Sequence, residues 1–90
     1  MSEKKGVLTI VNTLGLHARA ASKFVGLASK FDAEVWIGAG DREVNGKSIL
    51  GVLMLAAAKG TTVTLRCGGA QADAASDALS ALVAEGFGET

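Results

Sequence analysis

Asn12-Thr13-Leu14-Gly15-Leu16-His17-Ala18-Arg19-Ala20-Ala21-Ser22 is where a strand pattern gives way to a helix pattern. Upstream, Val7 to Val11 is rich in β-branched residues without helical spacing and reads as strand. Downstream, Ala21, Phe24, Val25 and Ala28 recur at helical spacing and form an apolar stripe along one face. Gly15 supplies the change of direction between them, because glycine alone takes a positive φ without steric cost. His17, the one histidine of the chain, therefore falls at the N-cap or first turn of a helix. Backbone N–H groups without partners converge at such a point and the helix dipole favours negative charge, which makes it a site for anions. Arg19 adds a planar fork of donors suited to phosphate oxygens. An imidazole in that setting has the chemistry to hold a phosphoryl group, as a nucleophile partly neutral at physiological pH. A histidine at a helix start also serves as a plain cap or a solvated surface residue. The stretch alone leaves both readings open.

Composition narrows the classes. Ninety residues suit one domain, residues 1–90, with a single modest core. Nine basic residues balance nine acidic ones, so there is no electrostatic footprint for nucleic acid or an anionic membrane surface. With no tyrosine, one tryptophan and three phenylalanines, the chain is also poor in platforms for stacking bases. The single cysteine, Cys67, excludes an internal disulfide, and with one histidine it leaves no ligand set for a transition metal. No metal and no cofactor are expected. No apolar run is long enough to span a bilayer and Met1 to Gly6 has no signal-peptide pattern, so a cytoplasmic location is expected.

The rest of the chain reads as alternating elements. A first strand runs from about Gly6 to Val11, with Leu8 and Ile10 inward. The first helix runs from His17 or Ala18 to about Lys30, with Arg19, Ser22, Lys23, Gly26 and Lys30 on its outer face. Glu34 to Gly38 is a second strand, with Val35 and Ile37 on one face and Trp36, read as a packing residue, on the other. Gly38-Ala39-Gly40-Asp41 is turn chemistry, and Arg42 to Asn45 is short enough for an edge strand. A second helix spans about Ser48 to Lys59 and stops at Lys59-Gly60. Thr62 to Cys67 alternates, with Val63, Leu65 and Cys67 inward. A last helix from about Gln71 to Glu85 carries the stripe Ala75, Ala78, Leu79, Leu82 and Val83, with Asp73 and Asp77 solvated near its start.

The second helix is apolar on nearly its whole circumference. All-round apolar helices belong in large cores or membranes, and a chain of this size offers neither. Val52 and Leu55 are the expected core residues. Ile49, Leu50, Leu53 and Met54 are the candidates for an exposed patch, and exposed apolar patches mark interaction sites. The alternative is a helix buried more fully than its size suggests. Ser48, just before it, is a preferred N-cap residue, and capping alone accounts for its presence.

Gly15-Leu16-His17-Ala18-Arg19-Ala20-Ala21 resembles the active-site signature of the HPr family, the histidine-containing phosphocarriers of the bacterial phosphotransferase system. Glu43-Val44-Asn45-Gly46-Lys47-Ser48-Ile49-Leu50-Gly51-Val52 resembles that family's regulatory-serine segment, at the expected distance. The resemblance covers essentially the whole chain. It implies an α+β fold, the HPr-like open-faced sandwich: a four-stranded antiparallel sheet with three helices on one face, in the order βαββαβα. Periodicity does not fix the strand order.

The resemblance also implies a phosphoryl carrier rather than an enzyme that turns over a small molecule. His17 would accept a phosphoryl group on Nδ1 from phosphorylated enzyme I, itself charged by phosphoenolpyruvate, and pass it to an enzyme IIA-type protein. The Arg19 side chain and the backbone N–H groups near Ala18 and Arg19 would stabilise the phosphate. In many relatives a dedicated HPr kinase/phosphorylase modifies the serine matching Ser48, which makes Ser48 a candidate control point. Ile49, Leu50, Leu53 and Met54, rimmed by Arg19 and Ser22, would dock both partners, and the carrier would be a monomer. The commoner signature has proline where this chain has Ala20. Alanine also suits a helix start, and the form is similar to proteobacterial members, including the nitrogen-related branch. That leaves sugar transport and a regulatory phosphorelay as the two pathways implied. The alternative within the same fold is a regulatory docking module acting through the second-helix patch and Ser48.

Overall fold

The computed structural model describes residues 3–89. Four strands, β1 (Glu3–Thr9), β2 (Glu34–Ala39), β3 (Arg42–Asn45) and β4 (Thr62–Gly68), alternate with helices α1 (Ala18–Ala28), α2 (Ile49–Met54) and α3 (Ala72–Ala84). A short turn of 3-10 helix, Gly86–Gly88, follows α3. The strands form one sheet in the order β1-β4-β2-β3, and every neighbouring pair is antiparallel. The expected βαββαβα open-faced sandwich is what forms.

Register explains which face is covered. Leu8 lies opposite Val63, Val35 opposite Cys67, and Ile37 opposite both Leu65 and Val44. Directly opposed residues share a face, so these apolar side chains form one surface. Phe24, Val25 and Ala28 of α1, Val52 of α2 and Ala75, Leu79 and Val83 of α3 join them in a single core cluster. Cys67 is fully buried in it, and burial pushes its thiol pKa up, as befits a small apolar residue rather than a nucleophile.

The other face of the sheet is open and polar. There Arg66 donates to Glu43 at 2.8 Å and to Glu3 at 3.1 Å, and its guanidinium lies 5.5 Å from the Trp36 ring centroid. Trp36 is thus a packing residue on the uncovered side. The Arg66 hydrogen bonds hold the Glu43 carboxyl below the usual range.

Three elements differ from the sequence reading by two residues or more at an end. β1 begins at Glu3 and ends at Thr9, because Lys4 and Lys5 pair with Cys67 and Arg66 and an edge strand needs no apolar run to do so. α1 ends at Ala28 instead of Lys30, as Lys30 and Phe31 donate to Leu27 and Ala28 and tighten the last turn. The largest difference is α2, which stops at Met54 rather than Lys59. Leu55 and Ala56 donate three residues back, to Val52 and Leu53, and Ala56 takes a left-handed φ of 50°. The next carbonyl, that of Ala57, is claimed from outside by the Leu16 N–H at 2.9 Å. Gly60 likewise donates to Ile10 at 2.7 Å. The backbone groups that would extend the helix are used to bind the β1–α1 loop.

Candidate phosphoryl site at the start of the first helix

The β1–α1 loop presents His17 through a tight turn. Gly15 has φ +64° and donates to the Asn12 carbonyl at 3.1 Å. A Cβ at Gly15 would meet the Ala57 oxygen at 2.5 Å, so both the conformation and the close approach require glycine. Leu16 is buried beside it. His17 then caps α1 in an extended conformation, φ −76° and ψ −179°, and its carbonyl accepts from Ala21 at 2.8 Å.

The two imidazole nitrogens have different partners. Nδ1 accepts from the Arg19 N–H at 3.4 Å, a long and therefore weak capping bond. Nε2 is hydrogen-bonded to the carboxylate of Glu89. The same carboxylate accepts from the Asn12 amide at 3.0 Å, and that amide also donates to the Gly15 carbonyl at 2.8 Å. Two acceptors on one nitrogen settle which way the Asn12 amide points. The Asn12 amide, and then His17, hold the Glu89 carboxyl below the usual carboxylate range.

Glu89 reaches this position because the chain after α3 folds back onto α1. Phe87 is the anchor, 1% exposed, and Lys23 donates to its carbonyl at 2.7 Å. Phe87 sits at φ 58°, a left-handed conformation that costs a non-glycine residue roughly 1–2 kcal/mol. Burying its ring contributes about 1.5–3 kcal/mol, enough to offset that cost, and the Lys23 bond adds to it.

His17 and Arg19 line one shallow concavity with Thr13, Ala18, Lys23 and Glu89. Two cationic side chains, the helix start and a partly exposed imidazole therefore face a common space, an arrangement fit to receive a phosphate. Among the described residues, no group of three or more His, Cys, Asp or Glu side chains is placed to hold a metal ion. No helix among them is long and apolar enough to cross a membrane.

The second group of residues lies on α2, which packs against α1 but contributes nothing to the concavity. Ser48 caps α2, its Oγ accepting from the Gly51 N–H at 3.1 Å. Ile49, Leu50 and Met54 are exposed, Leu50 the most at 70%, and Ser22 is exposed on α1. Val52 and Leu55 are in the core. Leu53, expected in the exposed patch, is instead half-buried, packed against the core next to the buried Val52.

Sequence reasoning missed Asn12 and Glu89. Asn12, three residues before Gly15, carried a turn signal that was readable. Glu89 carried none, being 72 residues from its partner.

The family described as "PTS HPr component phosphorylation site" matches residues 4–85, a span that includes His17, Arg19 and Ser48 and stops short of Phe87 and Glu89. The phosphocarrier protein HPr of Neisseria meningitidis serogroup A is 52% identical over 85 residues, covering 94% of this chain and 96% of the relative. The phosphocarrier protein NPr of Shewanella violacea is 49% identical over 89 residues, covering 99% and 98%. The crystal structure of HPr-C-His from Thermoanaerobacter tengcongensis superposes with a TM-score of 0.93 at 39% identity, covering 97% of this chain and 98% of that one. A sheet order, a helix start bearing His17 and Arg19, and matches along nearly the whole length agree, and the chain belongs to the HPr family of phosphocarrier proteins of the phosphotransferase system.

Proposed function

We propose that this chain, acting as one cytoplasmic domain, carries a phosphoryl group on His17, taking it from phosphorylated enzyme I and delivering it to an enzyme IIA-type protein. The observation that carries the reading is the placement of a partly exposed imidazole at a helix start, sharing a concavity with Arg19 and Lys23, in a chain of the phosphocarrier family.

In the forward step the Nδ1 lone pair forms the bond to phosphorus, and the bond between phosphorus and the donor breaks, its electron pair leaving with the donor. Such transfer is mainly positioning plus stabilisation of a spread negative charge. The Arg19 N–H, which now caps Nδ1 at 3.4 Å, turns to a phosphoryl oxygen, and the Arg19 guanidinium supplies the countercharge. Ala18, at the first position of α1, offers its N–H from the same helix start. In the return step the imidazole is the leaving group.

Docking of both partners uses the exposed residues Ile49, Leu50 and Met54, the accessible part of Leu53, and a polar rim that includes Arg19 and Ser22, an apolar centre with a polar edge. Ser48 is the control point, where an HPr kinase/phosphorylase would add charge beside that patch. The carrier works as a monomer, and the likeness to both HPr and NPr relatives leaves the downstream acceptor to be found in sugar uptake or in nitrogen-related regulation.

The test is one incubation of the chain with labelled phosphoenolpyruvate and enzyme I. Acid-labile, base-stable label on the chain is expected, as for a phosphoramidate. No label, or label stable to acid, overturns the reading.

A further inference from the structure

We infer that Lys23 is a second cationic ligand of the phosphoryl group on His17, joining Arg19 from one helical turn further along α1; the inference rests on the carrier reading above. Lys23 lines the same concavity as His17 and Arg19. Side chains on a helix lean toward its N-terminus, so the Lys23 stem runs back over the turn that begins near Arg19.

The charges here suit an anion that the chain itself does not supply. No acidic residue stands in the first turn of α1, although the helix dipole favours one there. Arg19 and Lys23 are four residues apart, a spacing at which like charges repel. Among the described residues Lys23 is in no ion pair. Glu89 is the one acidic side chain lining the concavity, and its carboxylate is taken by Asn12 and His17. Arg19 and Glu89 cancel, so Lys23 supplies the surplus of positive charge. A phosphoryl group brings about −1.5 to −2 charges to that surplus.

The ammonium is held without being used up. It donates to the carbonyl of the buried Phe87 at 2.7 Å. An ammonium has three N–H donors, so this bond leaves two. A side chain at Gly88 would begin 3.7 Å from the Lys23 Nζ, and glycine leaves that approach open. On phosphorylation one N–H keeps the Phe87 carbonyl while another turns to a phosphoryl oxygen, and no proton moves. The contact is made to the phosphoryl group and not to the bare imidazole. It therefore favours the phosphorylated carrier over the free one.

The experiment compares wild type with Lys23→Met, which keeps the stem without the charge, and Lys23→Arg, which keeps the charge. The first measurement is the dissociation constant of inorganic phosphate at constant ionic strength, followed by the amide shifts of Ala18 and Arg19. The second is the equilibrium constant for phosphorylation by phosphorylated enzyme I. Lys23→Met is expected to weaken phosphate binding about three-fold and to lower the equilibrium constant by a similar factor. Lys23→Arg is expected to keep both close to wild type. Were Lys23 only an anchor for the tail, its loss would free Glu89, take an anion from the concavity and tighten phosphate binding. Equal or higher phosphate affinity in Lys23→Met overturns the inference, as does an unchanged equilibrium constant or a wild type that binds no phosphate at Ala18 and Arg19. The phosphate titration needs no phosphoryl donor. Failure of the wild type to take label from enzyme I therefore counts against the carrier reading, and the titration still judges Lys23.

Discussion

The Leu16 amide donates to the Ala57 carbonyl at 2.9 Å, tying the loop that carries His17 to the segment that ends α2. One bond thereby closes the second helix and sets the entry to the first. The fit between the two strands of chain is close enough that Gly15 has no room for a Cβ.

Gly15→Ala should accordingly damage both stability and activity. The left-handed φ costs alanine roughly 1–2 kcal/mol, and the clash with the Ala57 oxygen adds to it. A lower denaturant midpoint with slower acceptance of label is the expected outcome. Thermal or urea unfolding and the labelling assay check it; wild-type behaviour in both would mean the loop can relax away from Ala57.

His17→Ala should abolish acceptance of acid-labile label while leaving the fold intact, because the side chain is partly exposed and its capping bond is weak. Arg19→Ala should slow acceptance without abolishing it. Label entering His17→Ala at the wild-type rate would place the carrier site elsewhere.

Leu50→Asp should weaken binding to enzyme I with a stability change within about 0.5 kcal/mol, since Leu50 is exposed and its replacement buries no charge. Titration calorimetry with enzyme I and a melting curve separate the two effects. Tight binding by this variant would remove the apolar surface of α2 from the docking site.

Ser48→Asp should keep the melting temperature or raise it, because an aspartate still caps α2 and its charge suits the helix start. Ser48→Ala, by contrast, should cost about 1 kcal/mol through loss of the bond to Gly51. Transfer from enzyme I should slow in Ser48→Asp, as a partner would have to desolvate a charge next to Ile49 and Leu50. Unchanged transfer kinetics would reduce Ser48 to a cap.

The tail should loosen in acid. The Glu89 carboxyl titrates below the ordinary carboxylate value in the folded chain, chiefly through Asn12 and then His17. A depressed folded value means the stabilisation is present above the ordinary value and is lost as pH falls through the folded one. Carboxyl carbon shifts should show a low Glu89 midpoint that rises in Asn12→Ala. Amide exchange at Phe87 should accelerate over the same pH interval; exchange independent of pH beyond its intrinsic base catalysis would show that the carboxylate does not hold the tail.

Much of this protein was decided by local pattern. The alternation of Val63, Leu65 and Cys67 sets the inner face of β4, and the spacing of Ala21, Phe24, Val25 and Ala28 sets the buried side of α1. Gly15, His17 and Arg19 mark the site, because a positive-φ turn and a helix start are properties of a few adjacent residues. The end of α2 was not legible, since Leu55, Ala56 and Ala57 are good helix formers and it is the bonds of this segment to the β1–α1 loop, Leu16 to Ala57 and Gly60 to Ile10, that divert them. Nor was the sheet order, in which β4 lies between β1 and β2, because strands with one apolar face can pair in several orders. Glu89 is the clearest case: nothing in Gly86-Phe87-Gly88-Glu89 points to His17. The burial of Phe87 and the bonds from Lys23 and Asn12 bring the carboxylate to the imidazole, and those contacts exist only once α1, the Gly15 turn and the tail are packed together.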